Sequence, residues 1–217
     1  MRTRRVRRGR LARRIRRPAR RKVTTHTTAP KCERNFNIEA HRYKAIDDLS
    51  SSLRRLKTDP QSLVLAVDGA CRGDGYVGAR ASYGVFVSHY AEDLNRKGPV
   101  PALSPQTNQY AELFATMQAL EVIHELIIAG EDLTHVIIKT DSHHVAQAMS
   151  SFIWKWTANG YRNWKGQPLM NGRAFKYVHE KVVLLEKEYG IRVSFYLVER
   201  RFNEQANALA NAALNLN

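Results

Sequence analysis

Two apolar runs in this chain each lead to an aspartate. Leu63-Val64-Leu65-Ala66-Val67 enters Asp68-Gly69, and Val136-Ile137-Ile138 is followed, after Lys139-Thr140, by Asp141. Glu112 falls between them in the first turn of a helical pattern. If the two strands are parallel neighbours, three carboxylates enter one small volume at their carboxyl ends, the crevice where open α/β sheets bind ligands. Carboxylates so placed repel one another unless cations lie between them, and hard oxygen donors select Mg²⁺ or Mn²⁺. Two such ions, about 3.5 to 4 Å apart, would activate a water and stabilise the leaving oxygen of an in-line phosphoryl displacement, which is nuclease chemistry. Taken singly, each acid has a plainer reading. Asp68 before Gly69 could form a turn, Glu112 could complement a helix dipole, and Asp141-Ser142 could cap the next helix.

The elements that must position these groups alternate strand and helix patterns, the mark of an α/β or mixed-sheet domain. The run at 63–67 reads as a central strand buried on both faces. Residues 82–88, with Tyr83, Val85 and Val87 alternating, read as a second strand preceded by a turn over 77–80. Ala111, Phe114, Ala115, Ala119, Val122 and Leu126 predict a helix from about 108 to 129, with Thr107 as its cap and Gly130 closing it. A strand at 136–138 follows. Then come helices carrying Val145, Met149, Phe152, Ile153 and Trp156, stopped by Asn159-Gly160, and Phe175, Val178, Val182 and Leu185. Val193, Phe195 and Leu197 mark a late strand, and Ala206, Leu209, Ala210 and Ala213 a closing helix. Upstream, Ile46, Leu49, Leu53 and Leu56 stand at helical spacing, predicting a short helix within a linker at 23–61.

The charge is unevenly placed. The 217 residues carry 35 Lys and Arg against 20 Asp and Glu, for a formal charge of +15. Residues 1–22 hold 12 arginines, one lysine and no acid, so the remainder has 22 basic residues against those 20 acids. Such an arm cannot fold alone and is expected to be disordered. It could neutralise nucleic-acid phosphates, act as a nuclear address, or serve as a mitochondrial transit segment. An intracellular protein of the nucleus or mitochondrion is expected. No run of 18 apolar residues exists to span a membrane. Cys32 and Cys71 are too few for a disulfide scaffold or a thiolate zinc site, which suits a reducing compartment.

The ordered series Asp68-Gly69-Ala70-Cys71, Tyr83-Gly84-Val85, Thr107-Asn108-Gln109-Tyr110-Ala111-Glu112-Leu113 and Thr140-Asp141-Ser142 resembles the signature of the ribonuclease H family. The likeness continues through Trp154-Lys155-Trp156, Asn159-Gly160, Trp164-Lys165-Gly166 and Asn171 to Asn203-Glu204-Gln205-Ala206-Asn207-Ala208-Leu209-Ala210, so it covers residues 62–217. The resemblance implies a five-stranded mixed sheet flanked by helices, and metal-dependent cleavage of the RNA strand of RNA/DNA hybrids with two Mg²⁺ or Mn²⁺ ions. It implies Asp68, Glu112 and Asp141 as metal-binding catalytic carboxylates, with Asp68 bridging both ions. Thr107, Asn108 and Gln109 would grip the minor groove and a DNA phosphate, where a 2′-hydroxyl distinguishes RNA from DNA. Cys71, Trp154, Trp156, Trp164, Lys165 and Asn171 would be further substrate contacts.

The sequence also departs from the family pattern. The fourth acid is Asn207, which keeps a carbonyl oxygen but no charge, and is expected to be a weakened fourth metal ligand. The loop Val198-Glu199-Arg200-Arg201-Phe202 is short and lacks the histidine that many members carry there; Arg200 or Arg201 could meet a phosphate. Pro105 stands where close relatives place a phosphate-gripping arginine. His143 and His144 read as surface residues at a helix start. No small aromatic hybrid-binding module is read upstream, and the Arg-rich arm could substitute for it. The rival expectation is a catalytically inactive nucleic-acid-binding protein or ribonucleoprotein scaffold, anchored through residues 1–22. A monomer is expected.

Overall fold

The computed structural model describes residues 34–41 and 43–215. The Arg-rich arm at 1–22 and the first part of the linker lie outside the described residues. In chain order the elements are α1 (Ile38–His41), β1 (Ala45–Asp47), β2 (Arg54–Leu56), β3 (Ser62–Arg72), β4 (Arg80–Phe86), β5 (Arg96–Pro99), α2 (Asn108–Ile128), β6 (His135–Thr140), α3 (His143–Gln147), α4 (Ile153–Ala158), α5 (Gly172–Glu188), β7 (Arg192–Leu197) and α6 (Glu204–Leu214). One five-stranded sheet is ordered β5-β4-β3-β6-β7. β3 pairs antiparallel with β4 and parallel with β6, and β6 parallel with β7, so the sheet is mixed as expected.

β3 is apolar on both sides because both of its faces are covered. Leu63, Leu65 and Val67 join the main core with α2, α4 and α5. The alternate residues face the other way: Val64 packs with Phe36, Leu56 and Ile137, Ala66 with Ala206, and Ala70 with Ala210 and Leu214. The small residues of α6 therefore bring that helix down onto the sheet. α2 starts as expected, with the Thr107 hydroxyl accepting from the Tyr110 amide at 3.2 Å, and ends at Gly130, whose φ of +96° suits a residue without Cβ.

Four expectations are corrected. The helix predicted from Ile46, Leu49, Leu53 and Leu56 is a β1–β2 hairpin. Its turn is tied by the Ser50 and Ser51 hydroxyls donating to the Asp48 carboxylate, and its apolar residues split, Leu53 and Leu56 buried, Ile46 and Leu49 exposed. Nor is the described part of this segment a loose linker. The Phe36 amide donates to the Phe195 carbonyl at 3.0 Å and the Phe195 amide to the Arg34 carbonyl at 2.7 Å, extending the sheet past β7. β3 continues four residues beyond Asp68 instead of ending there. The helix read through Val145 to Trp156 is interrupted by a π-helical turn over Ala148–Phe152. β5, with sequence Arg-Lys-Gly-Pro, carries no alternating apolar signal, and the residue pattern alone did not reveal it.

Candidate active site

The β3–β6 parallel register sets the site. Ala66 pairs with Lys139, and two residues further along each strand stand Asp68 and Asp141, side by side where the parallel pairing has ended. Gly69 lets a helix reach them. A Cβ there would overlap the Glu112 backbone nitrogen and sit 2.7 Å from the Ala111 Cβ, so only glycine admits α2 this close to the strand; Glu112 is the fifth residue of that helix, just past the first turn in which the sequence pattern places it. Asp68, Asp141 and Glu112 are thereby brought together, as the residue spacing suggested.

Each carboxylate is held differently. Asp68 is buried; one oxygen accepts from the Gly69 amide at 2.9 Å, and Oδ2 is shut away from solvent with no hydrogen-bond partner. Burial foremost, and the neighbouring Asp141 charge next, push its pKa up to about 7. Glu112 accepts from the Asn108 amide at 3.0 Å and from the Ser142 hydroxyl. Burial raises its pKa, and the Ser142 hydrogen bond opposes that rise. Asp141 accepts from the buried Asn203 side chain at 2.8 Å, while the Arg200 guanidinium stands 3.5 Å from its other oxygen. Asn203 also donates to the Val67 carbonyl at 2.9 Å, clamping Asp141 to β3.

This donor set fits a hard divalent cation. A buried carboxylate oxygen without a protein partner, flanked by two further carboxylates that raise its proton affinity, is what a cation would relieve. Among the described residues, no three His, Cys, Asp or Glu side chains form a closed ligand cluster; Glu112 and Asp141 each accept a hydrogen bond from a neighbouring side chain, Ser142 and Asn203 respectively.

Asn207 lies on α6, one turn past Asn203, and its side-chain oxygen accepts from Arg200 and from Asn211, each at 2.8 Å. Thr107 and Asn108 are committed to capping α2 and to orienting Glu112, and Gln109 is exposed beside them. The loop that delivers them is tied by Gln106, which accepts from the Ala81 amide and donates to the Pro101 and Ser104 carbonyls. Cys71 is half-buried against the Gln106 carbonyl.

The aromatic residues divide. Trp164 is 88% exposed, with the Lys165 ammonium over its ring. Trp156 is half-buried between Phe152 and Phe175. Trp154 is engaged by the Arg34 guanidinium 4.7 Å above its ring and by His179 edge-on. Asn171 precedes α5 with φ of +57°, and His144 packs on Phe175 instead of standing free at the surface. Ser142, Asn203 and Gln106 are positioning residues that residue types alone did not assign; a hydroxyl or amide side chain within or beside each motif segment was the available signal.

Residues 60–214 match the model of the RNase H family. A ribonuclease H of Crithidia fasciculata is 30% identical over 128 residues, covering 50% of this chain and only 26% of that protein. A ribonuclease H of Ruthia magnifica subsp. Calyptogena magnifica is 27% identical over 154 residues, covering 71% of this chain and 93% of that one. The solution structure of the PFV RNase H domain shares the fold with a TM-score of 0.51 and 22% identity, over 71% of this chain and 94% of that chain.

Proposed function

Because this chain belongs to the ribonuclease H family, we propose that it is a divalent-metal-dependent endonuclease that cuts the RNA strand of RNA/DNA hybrids. The observation that carries this reading is the unpartnered, buried Oδ2 of Asp68 beside Asp141 and Glu112. Asp68, Glu112 and Asp141 would hold Mg²⁺ or Mn²⁺. When bound, the metal supplies a water acidic enough to attack near neutral pH and charge to offset that on the leaving oxygen.

The chain's own residues do the rest. Asn203 and Ser142 restrain Asp141 and Glu112 by hydrogen bonds, which limits the reorganisation needed when metal and substrate arrive. Water adds to phosphorus while the bond to the leaving ribose oxygen breaks, and that oxygen takes up a proton. The first turn of α2 presents Thr107, Asn108 and Gln109 toward a minor groove, where a 2′-hydroxyl identifies the RNA strand. Trp156, Trp164, Lys165 and Asn171 suit contacts to the DNA strand. The 13 positive charges of residues 1–22 would add sequence-independent attraction to phosphates.

The test is cleavage of a labelled hybrid by the purified chain in Mg²⁺ and in Mn²⁺, with Asp68→Asn alongside. Cleavage by the wild type and none by the variant is expected. Hybrid binding without cleavage in either metal would overturn the reading in favour of a non-cutting binder.

A further inference from the structure

Asn207 occupies the position of the fourth acid in the family pattern, and its environment in this chain differs from what a metal ligand needs. An amide oxygen has two lone pairs. Both are in use, one on the Arg200 Nη2 at 2.8 Å and one on the Asn211 Nδ2 at 2.8 Å. The same guanidinium stands with Nη1 3.5 Å from Asp141 Oδ2. A cation of the protein itself is thus already seated between Asp141 and Asn207.

We propose that Arg200 replaces the second divalent ion of this site, so that the chain binds one metal ion, on the Asp68 side, with the guanidinium supplying the remaining positive charge. Formal charge points the same way. Three carboxylates are balanced by one divalent ion and one guanidinium, whereas two divalent ions with Arg200 in place would leave two positive charges in excess. An aspartate at 207 together with loss of Arg200 would restore four negative charges, the complement of two ions. Arg200 is 69% exposed along its side chain, so it also has room to donate to a phosphate oxygen entering the site. This inference rests on the reading of Asp68, Glu112 and Asp141 as a divalent-cation site.

The experiment is a Mn²⁺ titration of the full chain followed by electron paramagnetic resonance, counting ions whose binding is lost in Asp68→Asn. The expected count is one per chain for the wild type. The double variant Arg200→Ala/Asn207→Asp should bind two and show the signature of spin-coupled manganese. Two coupled ions in the wild type, or no specific ion, would overturn the inference, and so would a single ion in a folded double variant. Hybrid cleavage measured on the same preparations separates the two conclusions. One bound ion without cleavage would refute the proposed nuclease and leave this inference standing; cleavage with two bound ions would do the reverse.

Discussion

Asp68 and Gly84 face each other across the antiparallel β3–β4 pair, and the missing side chain of the glycine lets α6 lie over the aspartate. A Cβ at position 84 would overlap the Ala206 carbonyl oxygen and sit 2.6 Å from the Ala210 nitrogen. Both are backbone atoms of a packed helix and cannot yield locally. Gly84→Ala should therefore destabilise the fold by about 1 to 3 kcal/mol. It should also reduce cleavage, because lifting α6 moves Asn203 away from Asp141. A urea midpoint equal to that of the wild type would contradict this packing argument.

Asp68 ionises in the unfolded chain near the ordinary carboxylate value of 3.8, and in the folded protein only near 7. Its folded pKa is raised, so its contribution to stability is fully present below about pH 4 and is lost as pH rises toward about 7. Without divalent metal, Asp68→Asn should gain on the wild type across that window and then hold its advantage. Urea midpoints at pH 4.5 and pH 8 in chelator, compared between the two proteins, check this. Saturating Mn²⁺ should narrow the difference at pH 8.

Ser142 both caps α3, accepting from the Val145 amide at 3.3 Å, and donates to Glu112. Ser142→Ala should cost about 1 kcal/mol of stability through the lost cap and lower cleavage through a loosened Glu112. Ser142→Thr keeps the hydroxyl and should restore both. Full cleavage by the alanine variant would remove Ser142 from the positioning network.

Arg34 is fully buried, with a two-point contact to Glu186 at 2.7 and 2.9 Å and a further hydrogen bond to His179 Nδ1 at 3.0 Å. Arg34→Ala strands these partners and should cost about 2 to 3 kcal/mol. Burial, and then Arg34, hold the His179 pKa down to about 4. A histidine whose folded pKa is depressed gives stability that is present above pH 6.5 and lost as pH falls toward 4. Relative to the wild type, the urea midpoint of His179→Gln should therefore rise as pH is lowered from 7 to 4.5, because the variant lacks the histidine whose protonation favours unfolding.

The 13 positive charges of residues 1–22 predict salt-sensitive affinity for nucleic acid. A chain lacking residues 1–22 should bind hybrid more weakly at low salt, with a shallower dependence of log K on log salt. Filter binding between 50 and 200 mM salt measures both. An unchanged slope would mean that the arm does not contact phosphates.

Much of this protein is legible in its amino-acid sequence. The apolar runs at 63–67 and 136–138, the helical stripes of α2, α5 and α6, and the Thr107 and Gly130 boundaries come from local periodicity and local hydrogen bonding, which need no distant partner. The order of the acidic motifs marked the family and the three carboxylates. β5 could not be read this way, because Arg-Lys-Gly-Pro becomes a strand only through pairing with β4. The hairpin was misread because the 46, 49, 53, 56 spacing satisfies a helix equally well. What decided it was the Asp48 turn and a burial site for Leu53 and Leu56.

The amino-acid sequence by itself therefore determined which residues carry charge, which segments form the long helices α2, α5 and α6 and the central strands, and to which family the catalytic pattern belongs. Only the tertiary structure decided that Arg34 closes a buried cluster with Trp154, which removes that tryptophan from the surface aromatics. It alone decided that Asn207 faces Arg200 and Asn211. The physical reason is shared: hydrogen bonds and ion pairs depend on distance and direction in space. Arg34 and Glu186 are 152 residues apart in the chain, a separation at which residue type carries no information about contact.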